Sequence, residues 1–204
     1  MTRMLLWEID ATAGADSAWV SVEGDALTAE GRIAALLPHP FWLTYRLETA
    51  ARFVTVAMDV EARWGDGSTS LVLRNEAGRW TANGTERADL AGAEDVDLAA
   101  CPLTNVMPIR RYGLHREPGA HEFLMAFIEV PALRVVPNRQ RYSHVRDLPD
   151  GGAVVRYESG SFRSDLTVDE EGFVEDYPQL GRRVTPRQAV DGIRAAGPGS
   201  SRPG

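Results

Sequence analysis

The chain has 204 residues, 44% of them hydrophobic and 25% charged, which is the profile of a globular domain with a sizeable core rather than of a disordered segment. All 22 basic residues are arginine, and 29 acids leave a net charge of −7, which argues against a general nucleic-acid binder. The lone Cys101 excludes an internal disulfide, the apolar run in MTRMLLWEID is too short for a signal peptide, and no stretch is long enough to span a bilayer, so a cytoplasmic protein without a transmembrane segment is expected.

In chain order, Met4 to Ile9 reads as a first strand and Ala18 to Glu23 as a second. Leu27 to Leu37 alternates like a strand, although its alanines would tolerate a helix, and Pro38 and Pro40 end it. Phe41, Leu43, Tyr45 and Leu47 alternate with polar neighbours, as do Val54, Val56, Met58 and Val60, which is the signature of half-buried antiparallel strands. Turns at Gly65–Gly67 and Asn75–Gly78 continue a meander through Thr69 to Arg74 and Arg79 to Asn83. Sustained helical periodicity is missing from this half, so a doubly wound nucleotide-binding fold is not expected.

The stretch DVDLAACPLTNVMPIRRYGLHR, Asp95 to Arg116, is the most distinctive in the chain. Pro102 and Pro108 bracket a loop or single helical turn, after which alternation predicts a strand with Arg110, Tyr112 and Leu114 on one side and Ile109, Arg111 and His115 on the other. An arginine in register with apolar groups needs a carboxylate, carbonyls or an anionic ligand. Asp95 and Asp97 are the nearest candidates for a structural ion pair with the arginines; a ligand contact is the other reading.

Further on, Phe123 to Val130 is apolar on both faces and must be covered on both. Leu133 to Val145 carries Pro137, which suits a strand edge or a bend. Val155 to Val168, turning at Ser159–Ser161, is the clearest hairpin. Thr185, Pro186 and Gln188 match the start of a short helix over 185–196, and GPGSSRPG at 197–204 reads as a disordered tail.

The TN-x-x-PIRR-x-x-L core formed by Thr104, Asn105, Pro108, Ile109, Arg110, Arg111 and Leu114, preceded by the acidic pair, resembles that of the bacterial putative glycolipid-binding domain family. The likeness extends to Gln140 with Tyr142, Tyr157, LTVDEEGFV at 166–174 and YPQL at 177–180, and covers about Leu6 to Arg183. The resemblance implies a mainly β, single-domain, antiparallel and partly open β-barrel over 1–184, like that of bacterial lipoprotein carriers, with a concavity suited to acyl chains.

The chain shows neither a nucleophile elbow, a phosphate-binding glycine loop, a dinucleotide fingerprint nor a zinc-binding His-Glu motif, and its four histidines are scattered without ligand spacing, so neither cofactor nor metal is expected. Two functions follow. In a binding module, a lipid or other amphiphile lies in an apolar groove while Arg110, Arg111, Asn105, Gln140, Tyr142 and Tyr157 serve a head group. In an enzyme acting on a small hydrophobic anionic molecule, Arg110 stabilises the anion and Tyr157, Asp97 or His144 moves a proton. A ligand-free interaction scaffold is the third reading.

Overall fold

The computed structural model describes residues 2–185; the helix and tail expected over 185–196 and 197–204 fall, but for Thr185, outside them. Fifteen strands form one sheet: β1 (Thr2–Ile9), β2 (Gly14–Glu23), β3 (Ala26–Ala35), β4 (Phe41–Thr49), β5 (Thr55–Trp64), β6 (Gly67–Glu76), β7 (Arg79–Ala82), β8 (Thr85–Glu86), β9 (Asp95–Leu98), β10 (Ala120–Glu129), β11 (Arg134–Asp147), β12 (Ala153–Ser159), β13 (Phe162–Val168), β14 (Val174–Tyr177) and β15 (Gly181–Arg183). The order across the sheet is β8-β7-β6-β5-β4-β3-β2-β1-β15-β14-β13-β12-β11-β10-β9.

The chain therefore starts in the middle, steps outward by hairpins to β8, crosses to β9 at the opposite edge, and returns until β15 pairs with β1. Neighbours are antiparallel except β9 and β10. The edges β8 and β9 are not hydrogen-bonded to each other, so the sheet is mainly β and barrel-like without being a closed barrel. Contacts other than a ladder span the gap: Arg87 donates to the Val135 carbonyl (2.8 Å), and Thr55 of β5 donates its backbone N–H to the Glu94 carbonyl (3.0 Å).

The alternating segments become strands because every second side chain is buried, as in β4, where Phe41, Leu43, Tyr45, Leu47 and Thr49 face inward. The ambiguous segment after Leu27 is β3, and its Gly31 explains a cross-strand contact. The Tyr45 ring lies so close to Gly31 that a Cβ there would sit 2.2 Å from it, and the phenol reaches across to donate to the buried Asp16 carboxylate at 3.0 Å. Pro137 is accommodated because β12 pairs only with β11 from Arg141 onward, leaving Pro137 on a stretch with a partner on one side only.

Two departures from the sequence reading centre on the stretch after Cys101. Residues 102–105 form a 3-10 turn that runs into a short helix α1 (Val106–Arg111), where alternation had predicted a strand from Ile109. Pro108 sits in the first helical turn, where its missing N–H costs nothing. The concavity implied for acyl chains is also filled, because every residue from Cys101 to Ile109 is buried. Cys101, Leu103, Val106 and Met107 pack into the larger core, Ile109 and Leu114 into a second core against β10 to β14.

Burial pushes the Asp16 carboxyl up to about 7, against the lowering pull of hydrogen bonds with Cys101 and Tyr45. A folded-state value above the unfolded one means that the folded chain holds the proton more tightly, so this contribution to stability is complete below about pH 4 and is lost as pH rises through about 7. Urea denaturation across this range should show stability falling with pH, and Asp16→Asn should reduce that slope; an unchanged slope would show that Asp16 is not the titrating group.

Candidate functional site

α1 turns its two arginines in different directions, about 100° apart around a helix. The Arg111 side chain is fully buried, and each of its five N–H groups is taken. It forms a bidentate pair with the Asp95 carboxylate, with Nη1 at 2.9 Å from Oδ2 and Nη2 on Oδ1. Nη1 also donates to Glu94 (3.0 Å), Nε to the Arg52 carbonyl (2.8 Å) and Nη2 to the Phe53 carbonyl (2.9 Å). Burial pushes the Asp95 carboxyl up to about 6, opposed by the Arg111 guanidinium. With no donor left for a ligand, Arg111 ties α1 to β9 and to the β4–β5 connection.

Arg110 is only partly buried and has no aspartate partner among the described residues, contrary to the pairing that sequence proximity suggested. It donates to the Glu171 carbonyl (2.8 Å) and lies 4.8 Å from the Phe53 ring centroid. Asp97 meets no arginine either; it accepts from Gln140 (2.6 Å) and Thr104 (3.2 Å). The physical reason for both corrections is the helix, which swings Arg111 rather than Arg110 toward β9 and leaves Asp97 facing β11.

Four of the sequence candidates are brought together in the second core. Tyr142 donates to Asn105 Oδ1 (2.9 Å) and sits 3.2 Å from Gln140 Oε1, while Gln140 holds Asp97. The Tyr157 ring packs edge-on to Tyr142 at 5.2 Å between centroids. Desolvation raises the Asp97 carboxyl and, most strongly among its causes, the Tyr142 and Tyr157 phenols, so the network favours neutral side chains. It bonds inward: Asn105 donates to the Pro102 carbonyl and Thr104 to that of Cys101.

A cleft of about 950 Å³ lies elsewhere, at the sheet end formed by the C-terminus of β1 and the start of β2. Its floor is made of small residues that register brings side by side: Gly14 and Ala15 of β2 beside Ala34 and Ala35 of β3. Phe41, Trp42 and Trp64 wall it, with Arg63 next to Trp42 across β4 and β5. Gly14 is required there, since a Cβ would lie 2.1 Å from the Ala34 carbonyl oxygen. Sequence reasoning missed this cleft, whose only signals were the tryptophans and the clustered small residues.

The cleft and Arg110 occupy opposite ends of the sheet. Arg110 and Arg3 share the Phe173 ring near the start of β1, whereas Ile9 at the end of β1 lines the cleft, and six residues of strand span about 20 Å. Among the described residues there is neither a helix long and apolar enough to cross a membrane nor a cluster of three or more His, Cys, Asp or Glu side chains that could hold a metal ion.

Removing one partner of the buried Arg111–Asp95 pair leaves an uncompensated charge, at a typical cost of about 3–5 kcal/mol. Arg111→Met should therefore destabilise the chain on that scale in chemical denaturation, and Arg110→Met by much less. Equal effects would remove Arg111 from its anchoring role.

Comparison with known proteins agrees with this architecture. A DUF1089 family protein from Pseudomonas aeruginosa is similar at 30% identity with a TM-score of 0.69, covering 83% of this chain and 92% of its own. A β-barrel-like protein of domain of unknown function DUF1849 from Brucella abortus is similar in fold alone, at 10% identity and a TM-score of 0.51, with coverage of 90% and 96%. No curated protein matches the chain. The family model described as putative glycolipid-binding matches residues 4–183, nearly the whole described chain, and the protein belongs to that family.

Proposed function

We propose that the protein binds an amphiphile whose apolar part lies in the cleft at the Ile9 end of the sheet. The observation that carries this reading is the cleft itself, about 950 Å³, lined by Ile9, Ala35, Phe41 and Trp64 with Arg63, Glu8 and Asp10 at its margins. Ligand sites are commonly clefts of about 300–1,000 Å³, mostly apolar with a few polar groups that fix orientation. The family description, putative glycolipid-binding, supports a lipid-like ligand with a polar head.

This reading relocates the polar contacts. Arg63, with the backbone exposed around Gly14 and Gly65, takes the part that the sequence assigned to Arg110. Asn105, Gln140, Tyr142 and Tyr157 then hold the second core in one arrangement, and Arg110 covers the Phe53 ring. The reading as an enzyme draws less support, because the carboxyls most raised by burial, Asp16, Asp95 and Asp97, are sealed away from the cleft.

The test is a cleft-filling variant. Ala34 lines the cleft from the exposed face of β3, so Ala34→Trp should obstruct the cleft without disturbing the core. Calorimetric titration with octyl glucoside below its micellar concentration should show saturable uptake by the native chain and none by the variant. Equal uptake by both would place the ligand elsewhere.

A further inference from the structure

The margin of the cleft carries an apolar tip that nothing in the fold uses. The β3–β4 connection, Leu36-Leu37-Pro38-His39-Pro40, leaves Leu36 62% and Leu37 53% exposed, and the adjoining Trp42 is 41% exposed. Two guanidiniums lie over the Trp42 ring, those of Arg32 and Arg63, each 5.6 Å from its centroid. Neither arginine forms an ion pair among the described residues, although most arginines on this half of the sheet, such as Arg46 and Arg74, do.

These features have one chemistry in common. Leucine side chains held in water gain free energy when an apolar phase covers them. Indole and guanidinium groups prefer a boundary where one end is apolar and the other wet, and a guanidinium without a carboxylate has its donors available for phosphate. Leucine outermost, tryptophan next to it and unpaired arginine above the tryptophan match the layering of acyl chain, interface and phosphate in a lipid surface. Of the acids near the two arginines, Glu8 is bound to Arg182 and Glu30 to Arg46, Asp10 lies across the cleft on the β1–β2 connection, and Glu61, two residues from Arg63 on the same face of β5, forms an ion pair with neither arginine among the described residues.

We propose that the Leu36–Leu37 tip, together with Trp42, Arg32 and Arg63, is a docking rim that seats the open cleft on a phospholipid bilayer, so that an amphiphile enters from the membrane. This rests on the cleft being the amphiphile site, and the test separates the two. Leu37 and Arg32 do not line the cleft, so Leu37→Asp and Arg32→Glu alter the rim alone. The full chain and both variants would be sedimented with vesicles of phosphatidylcholine containing one quarter phosphatidylglycerol, and titrated separately with octyl glucoside.

The native chain is expected to pellet with vesicles. Leu37→Asp should weaken that partition about tenfold, as when one leucine side chain no longer enters the apolar phase. Arg32→Glu should remove the dependence on phosphatidylglycerol, and both variants should take up octyl glucoside as the native chain does. A native chain that stays in the supernatant, pelleting unaffected by Leu37→Asp, or a dimer in analytical ultracentrifugation that Leu37→Asp dissolves would each overturn the rim. Pelleting that depends on Leu37 without octyl glucoside uptake would support the rim and overturn the cleft instead.

Discussion

The structure depends on one buried ion pair. Arg111 and Asp95 meet where α1 and the strand β9 converge with the connection between β4 and β5, which is distant from both in sequence. An arginine removed from water is tolerable only when its donors and its charge are all met, and here two carboxylates and two backbone carbonyls meet them. The pair thus fixes where α1 enters, and with it the residues that fill the interior.

That filling lets a fifteen-stranded sheet remain open. A strongly curved sheet leaves a central space that must be packed, and residues 101–109 supply a compact 3-10 and helical insert with proline at both ends and no exposed side chain. Because this insert supports both halves from within, the two edges need not pair, and the short β8 offers little ladder to a foreign strand. The split of the apolar residues into two cores follows from the same geometry, with Met107 packed in one and Ile109 in the other. It also moves the available apolar space from the middle of the molecule to its rim.

Much of the strand content was legible in the sequence because inward and outward residues alternate along β4, β13 and most of β5. The helix at 106–111 was not, because Pro108 looks like a boundary after which the chain reads as extended, when it is a first-turn residue. Hence Arg111, not Arg110, takes Asp95, and Asp97 is held by Gln140 and Thr104 instead. The cleft was invisible for another reason: Gly14, Ala34, Trp42 and Arg63 become neighbours only through the registers of β2 to β5, which local pattern does not specify. The polar cluster of Asn105, Gln140 and Tyr142 was named from the sequence without any sign that its members bond to one another.

The pairing of the first and last strands has a kinetic consequence. Glu8 and Arg182 face each other across β1 and β15 although they are 174 residues apart in the chain, while every other ladder among the described strands joins strands consecutive in sequence. Loop-closure entropy grows with the logarithm of the separation, so the hairpins of each half can form early and the β1–β15 ladder closes at the greatest entropic cost. A chain relinked across these neighbouring strands and opened between β8 and β9 would keep the order of strands in the sheet and turn its most distant pairing into a local one.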